Sequence, residues 1–416
     1  MSATDASENR LPASNKLAVA VVVVAGCLVA IIASGPRSAM GIFLQPMSDM
    51  HGWGREVFAF AIALQNLLWG FGQPIAGMLA DKFGTARVLI AGSAVYIAGL
   101  VLMAHSGTPL ELQLTAGLIV GFGISGSAFF LVLAAFARLL PDHWRGTAFG
   151  LGTAAGSAGQ FLYAPIGQAI LNAADFSMAL YVMAAALLVV PLLTFFLRGK
   201  PATTPDLAGF DQTIRQAMAE AFGHPSYRWL VAGFFVCGFH VAFITVHLPA
   251  YIHDVCGNAD WGTWAISLIG LFNIIGAMSS GILSGRMPKR WLLSSIYFLR
   301  TLAIVAFIAF PVTLTSILVF SAAMGLLWLS TVPPTSGLVA MMFGTRYMAT
   351  LFGFVFISHQ IGSFLGIWLG GVIYDKTGSY DMIWWVGIAL GLFAGLAHLP
   401  IREVPVERPS LLRARA

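Results

Sequence analysis

The sequence predicts an all-α membrane protein whose twelve transmembrane helices form two pseudo-symmetric six-helix halves. Three observations carry that prediction. Hydrophobic residues make up 58% of the chain and charged residues 9%, against roughly a quarter charged in an ordinary soluble domain. Twelve apolar runs are long enough to span a bilayer, for which a helix needs about 20 residues. Glycines and their neighbours recur between the two halves at a nearly constant offset of 203–204 residues.

The runs lie at roughly 17–47, 56–80, 87–105, 110–138, 147–171, 176–197, 228–252, 262–285, 291–310, 313–342, 348–374 and 380–400. The connection at 198–227 is the long one; it is polar and holds an amphipathic stretch around Thr213–Phe222. It divides the chain into a tail at 1–16, a first half at 17–197, the linker, a second half at 228–400 and a tail at 401–416. The first tail is polar and expected to be disordered. The first run carries no small-x-small cleavage site before Arg37 and reads as a retained helix. For the repeat, Gly77 and Gly121 match Gly281 and Gly325 at 204 residues. Phe149, Gly150, Gly159 and Gly167 match Phe352, Gly353, Gly362 and Gly370 at 203. A duplicated six-helix unit is the arrangement of transporters that bind substrate between repeats.

Lysine and arginine placement sets the expected topology. With the N-terminus in the cytoplasm, eighteen basic residues fall in cytoplasmic segments and two, Arg55 and Lys376, outside. Both termini are therefore expected in the cytoplasm, and the net charge of +5 needs no nucleic-acid partner. Two cations remain inside apolar runs, Arg37 in helix 1 and Arg300 in helix 9. Such charges are costly in hydrocarbon and raise a functional hypothesis. No aspartate or glutamate falls in the middle of a run, so neither has an evident partner. Arginine recognises carboxylates through a planar fork, which points to an anionic cargo. Snorkelling to the interface is the competing role for Arg37, and capping helix carbonyls the competing role for Arg300.

Other chemistry is sparse. Cys27, Cys237 and Cys256 form no CxxC, so neither a disulfide nor a zinc site is expected. No GxxxxGK[ST] loop occurs, which argues against ATP as energy source. No cofactor and no enzymatic nucleophile motif is expected. His240 and His247 are seven apart and share a helix face, and histidine titrates near neutral pH. His240, His247 and His359 are candidate cavity residues, with Gln160, Tyr163 and Trp328 as further polar or aromatic candidates; helix packing is the competing role for each. Glycines such as Gly152 and Gly156, and Gly362, Gly366 and Gly370, are expected to form close helix contacts.

The string Gly77-Met-Leu-Ala-Asp81-Lys82-Phe-Gly84-Thr-Ala-Arg87 between helices 2 and 3 resembles the signature loop of the major facilitator superfamily. Asp81, Lys82 and Arg87 would then serve the cytoplasmic gate, with Asp81 pairing a neighbouring arginine. Its second-half copy has Gly285 in place of the aspartate, so a latch there is expected to be weaker or missing. Pro36-Arg37-Ser38 followed by Gly41-Ile42-Phe43, Trp328-Leu-Ser-Thr-Val, and Tyr374-Asp375-Lys-Thr-Gly378-Ser-Tyr380 are similar to the monocarboxylate transporter family and to bacterial oxalate–formate exchanger-like relatives. The resemblance implies a multi-pass plasma-membrane carrier, in a bacterium an inner-membrane one, moving a small carboxylate with a proton or a counter-anion, and expected to be monomeric. In helix 8 the family has an acidic or amide residue and, four positions on, an arginine. Here Asn273 fits, but Ala277 replaces the arginine. Arg37, with Arg300 and Asn273, is then the expected binding set. Export of a neutral or aromatic drug-like compound, and a non-transporting membrane sensor, are the alternatives.

Overall fold

The computed structural model describes residues 16–198, 212–344 and 347–406, apart from the side chains of Asp81, Asp142, His143 and Ala349. Twelve long helices run through these residues: α1 (Lys16–His51), α2 (Arg55–Phe83), α3 (Thr85–Met103), α4 (Pro109–Leu139), α5 (Asp142–Ala173), α6 (Phe176–Leu197), α7 (Pro225–Cys256), α8 (Ala259–Ser284), α9 (Lys289–Ala309), α10 (Leu314–Phe343), α11 (Met348–Thr377) and α12 (Asp381–His398). A linker helix, Ile214–Gly223, stands between the halves. Thr213 caps it, and Gln216 returns a bond to the cap backbone. The predicted amphipathic stretch is therefore a helix.

Each expected span is present. α1 runs on to His51, where Gly52 ends it in the left-handed region, and α5 begins at Asp142, because short turns rather than long loops join the helices. Ten of the twelve are long and apolar enough to cross a membrane on composition alone; α2 and α5 are the other two. The shortfall has a structural reason. The side chains of Glu56 of α2, and of Ser157, Gln160, Gln168 and Asn172 of α5, bond across to the opposite half, and the Asn66 backbone carbonyl accepts from Gln360. The most polar helices therefore face protein rather than lipid.

Two hydrophobic cores match the two halves. One is built mainly from α1–α6 and takes in Ala242, Val246 and Ala250 of α7; the other is built from α7–α12 and takes in Ala164 of α5. The glycine faces behave as expected. A Cβ at Gly362 or Gly366 would collide with the backbone of Phe235 or Phe239, so α7 and α11 touch almost backbone to backbone. Two motif glycines have a different reason. Gly84, at φ +91, makes the turn from α2 to α3, and Gly378, at φ +69, closes α11 in the left-handed region.

Two interruptions have no signal in the apolar pattern. α4 carries a π-helical stretch at Gln113–Ile119 and breaks at Ala128. α10 breaks between Leu327 and Val332, splitting it into Leu314–Leu327 and Val332–Phe343.

The face where α1 begins and α12 ends is called proximal here, the opposite face distal. The halves meet along α2 with α11 and α5 with α8. Among the described residues, every side-chain hydrogen bond between the halves lies at the level of Ser157–Asn273 and Asn66–Gln360 or on the distal side of it. One turn proximal of that level Trp69 and Phe130 still meet Phe356 across the seam, and beyond these rings the same faces separate. Seven residues proximal of Gly70, Gln360 and Ser157 lie Gly77, Gly353 and Gly150, and eleven residues proximal of Gly270 lies Gly281. A methyl group at any of these four would meet no described neighbour within 4 Å. The molecule is sealed distally and parted proximally.

Candidate substrate-binding site

Arg37 sits one residue past Pro36, inside α1 and just before a 3-10 turn at Met40–Phe43. The loosened backbone is covered by protein: Gly35 lies under the Tyr163 ring of α5, and the Ser38 hydroxyl donates to the Ser34 carbonyl at 2.9 Å. The Arg37 guanidinium stands 4.7 Å from the centroid of Trp69. Trp69 is the midpoint of the 29-residue α2, about 21 Å from either end at 1.5 Å per residue. Arg37 is therefore held deep in the helix bundle and does not snorkel. Tyr96 of α3 is close enough to interact electrostatically with it. Among the described residues the guanidinium has no acid and no hydrogen-bond acceptor. The face of an aromatic ring stabilises a desolvated cation by about 2 kcal/mol, which leaves its hydrogen-bonding capacity unspent.

From Trp69 an aromatic line crosses to the other half. Trp69 meets Phe356 of α11 edge-on at 5.2 Å, and Phe356 stacks on His359 at 5.7 Å. His359 Nδ1 lies 3.0 Å from Gln360 Oε1, and the Gln360 amide donates to the Asn66 carbonyl of α2 at 2.8 Å. Arg37 and Tyr163 thus belong to one neighbourhood with Trp69 and Tyr96, and Phe356 links it to His359 in the other half; Trp69, Tyr96 and Phe356 were missed by sequence reasoning. A signal for Trp69 existed. It lies three and four residues after Asn66 and Gln65, on the same helix face, and far from the interfacial belts where tryptophan usually sits.

Gln160 and Asn273 lie next to this neighbourhood, on the α5–α8 seam. The Gln160 amide donates to the Ile266 carbonyl at 3.4 Å. Asn273 is buried and doubly engaged, donating to the Ser157 hydroxyl at 2.8 Å and accepting from the Leu329 amide at 3.0 Å. It therefore ties α5 of one half to the break in α10 of the other.

Arg300 takes, in this conformation, the competing role given to it, on helix carbonyls. The expectation was a second ligand for the anion, but the side chain is fully buried in the second half. It donates to the Leu327 carbonyl at 3.1 and 2.6 Å, and also to the Trp328 carbonyl. Those carbonyls are orphaned where α10 breaks, and a break at membrane depth persists only if such groups are satisfied. Arg300 is in this conformation the cap of a half-helix. Trp328, expected as a cavity wall, is 2% exposed and packs in the second-half core. His240, expected near the cavity, points the other way: Nε2 lies 2.8 Å from the Gly387 carbonyl of α12.

At the proximal end Lys82 and Arg87 are exposed, and Lys82 Nζ lies 5.2 Å over the Phe83 ring. Arg138 of α4 donates to the Ala80 carbonyl at 3.1 Å and to the Thr85 hydroxyl at 3.0 Å, reaching the loop expected to gate. The side chain of Asp81 lies outside the described residues.

Twelve helices in two halves around a polar, partly aromatic centre define a membrane carrier rather than an enzyme. The sequence model of the Major Facilitator Superfamily matches residues 26–367 and 263–415, and the chain belongs to that family. It is a multi-pass membrane transporter. It is 26% identical over 390 residues to an uncharacterized MFS-type transporter, YcxA, of Bacillus subtilis, covering 89% of this chain and 90% of the relative. It is 25% identical to bovine monocarboxylate transporter 13, covering 86% and 84%. It is 26% identical to the probable sulfoacetate transporter SauU of Cupriavidus necator, covering 80% and 82%. Among solved structures, a D-xylose-proton symporter superposes with a TM-score of 0.71 at 14% identity, covering 93% of this chain and 98% of the other.

Proposed function

We infer that this transporter moves small organic anions, monocarboxylates foremost, by alternating access, with Arg37 as the carboxylate ligand. One observation carries the reading: a deeply placed guanidinium with an aromatic support and no protein anion among the described residues. A transported carboxylate supplies the missing charge. Tyr163 and Tyr96 offer hydroxyl groups near it. The names of two relatives, a monocarboxylate carrier and a probable sulfoacetate carrier, support an anionic cargo.

Eighteen basic residues in the proximal segments and tails against two in the distal ones support a cytoplasmic proximal face. On that orientation the parted end faces the cytoplasm and the structure is an inward-open state. Lys82 and Arg87 then stand at the cytoplasmic mouth, and the Arg138 contacts at Ala80 and Thr85 belong to the gate that closes it.

The test uses purified protein in liposomes and a panel of labelled monocarboxylates, a sulfonate and uncharged aromatic compounds, under imposed pH or counter-anion gradients. Saturable carboxylate uptake supports the reading, and the gradient that drives it separates proton symport from exchange. Transport of the uncharged compounds with no carboxylate uptake overturns it in favour of a drug-like exporter. Two relatives bearing the name multidrug resistance protein, from Aeromonas species, make that arm necessary.

A further inference from the structure

The distal seal holds a hydrogen-bonded chain that ends on a histidine. Arg55, at the start of α2, forms a two-pronged ion pair with Asp254 near the end of α7, with both contacts at 2.7 Å. Its guanidinium also lies 3.8 Å from the Tyr374 ring centroid of α11. Asp375 of α11 accepts the backbone amides of Arg55 and Glu56 at 3.0 and 2.8 Å, capping α2 from the opposite half. Arg55 Nη1 further donates to the Tyr380 hydroxyl at 2.9 Å, and that oxygen is 3.1 Å from His247 Nδ1. His247 Nε2 is 2.7 Å from the Ile367 carbonyl.

The proton positions follow from what each group can do. A carbonyl only accepts, so His247 Nε2 carries a hydrogen. Arg55 only donates, so Tyr380 accepts from it and turns its own hydrogen toward His247. Nδ1 is then the acceptor, and the imidazole is neutral. Adding a proton at Nδ1 would put two cationic donors on one phenolic oxygen and leave the Tyr380 hydrogen without its acceptor. It would also bury a second positive charge beside Arg55. The titratable groups around His247 are Arg55 and Glu56 from α2, Tyr251 and Asp254 on its own helix, Tyr374 and Asp375 from α11, and Tyr380 and Asp381 at the start of α12. Asp254 is already neutralised by Arg55, and Asp375 is spent on the α2 backbone.

We propose that His247 is a proton-binding site that releases the distal latch: the sealed form holds it neutral, the opened form takes up a proton, and acid therefore favours distal opening. The inference rests on the alternating-access reading but not on the identity of the cargo. A histidine freed to water titrates near about 6.5. A group that protonates only in the opened form then raises the opened-to-sealed ratio about tenfold between pH 7.5 and pH 5.5 by mass action.

The experiment is amide hydrogen exchange on the full chain in lipid nanodiscs, without carboxylate, corrected for the intrinsic pH dependence of exchange. Exchange at residues 55–60 and 370–378 is expected to rise about tenfold from pH 7.5 to 5.5 in the unmodified protein. His247→Gln, whose amide can still accept from Tyr380 and donate to Ile367, is expected to change less than about twofold. Nitrogen-15 NMR of histidine-labelled unmodified protein provides a readout independent of any variant. It should show an Nε2–H tautomer at pH 7.5 that becomes imidazolium over the interval in which exchange rises. A flat profile in the unmodified protein, an undiminished rise in His247→Gln, or an imidazole that stays neutral to pH 5.5 overturns the proposal. None of these outcomes bears on carboxylate uptake, and failure of carboxylate uptake would leave the latch result standing.

Discussion

Replacing Arg37 by glutamine removes a deeply placed cation that has no anion among the described residues, while leaving a polar side chain of comparable reach beside Trp69. A bound carboxylate would lose a charge-assisted partner worth about 1.5–3 kcal/mol. At 1.4 kcal/mol per tenfold, the affinity for the preferred carboxylate falls about 10- to 150-fold. The free protein responds in the opposite direction. Burying the guanidinium is costly by a few kcal/mol and Trp69 returns about 2 of them, so the variant unfolds no earlier than the parent on heating. Arg37→Lys retains the charge but loses the planar fork and the stacking on Trp69, and falls between the two. The assay is concentration-dependent uptake into liposomes, paired with calorimetric binding and a thermal melt of the same preparations. If Arg37→Gln binds the carboxylate within threefold of the parent while remaining folded, the charge-pairing argument fails. If it melts well below the parent, Arg37 is a structural residue.

Two further perturbations test the architecture. Arg300→Met leaves the Leu327 and Trp328 carbonyls buried without donors, at about 1–3 kcal/mol each, so thermal stability falls clearly while carboxylate affinity in the folded fraction stays within about threefold; a loss of affinity without a loss of stability would return Arg300 to the binding site. Gly362→Val forces a side chain into the Phe235 carbonyl and is expected to lower stability by about 1–3 kcal/mol or more, whereas Gly281→Ala, in open space, stays within about 0.5 kcal/mol. Equal melting temperatures for the two would contradict the close α7–α11 contact.

Much of the fold was legible because it is written locally. Length and polarity alone separate a bilayer span from a loop, and Thr213 with Gln216 marks a helix start in a few residues. The breaks in α4 and α10 were not legible, since Ser, Thr and Gly are compatible with a continuous span. At α10 the break is decided by neighbours that satisfy the freed backbone: Arg300 from α9, Asn273 and Ser280 from α8. The candidate residues divide the same way. Gln160, Tyr163 and Asn273 were singled out as polar or aromatic groups in apolar surroundings, and the structure sets them on or beside the inter-half seam. Trp328 and His240 carried the same signature and face the second-half core instead, because a helix has several buried faces and polarity does not say which one meets the other half.

The sequence by itself determined a twelve-helix membrane carrier made of two related halves, with a cation at Arg37 that no nearby acid neutralises. These properties depend on composition, periodicity and charge counting along single helices. Only the tertiary structure decided that Trp69 supports Arg37, that Arg300 caps a broken helix, and that Arg55, Asp254, Tyr380 and His247 close the distal end. Each of these joins residues 27 to 325 positions apart, and which helix faces meet across such separations is set by packing between helices, which local pattern does not encode.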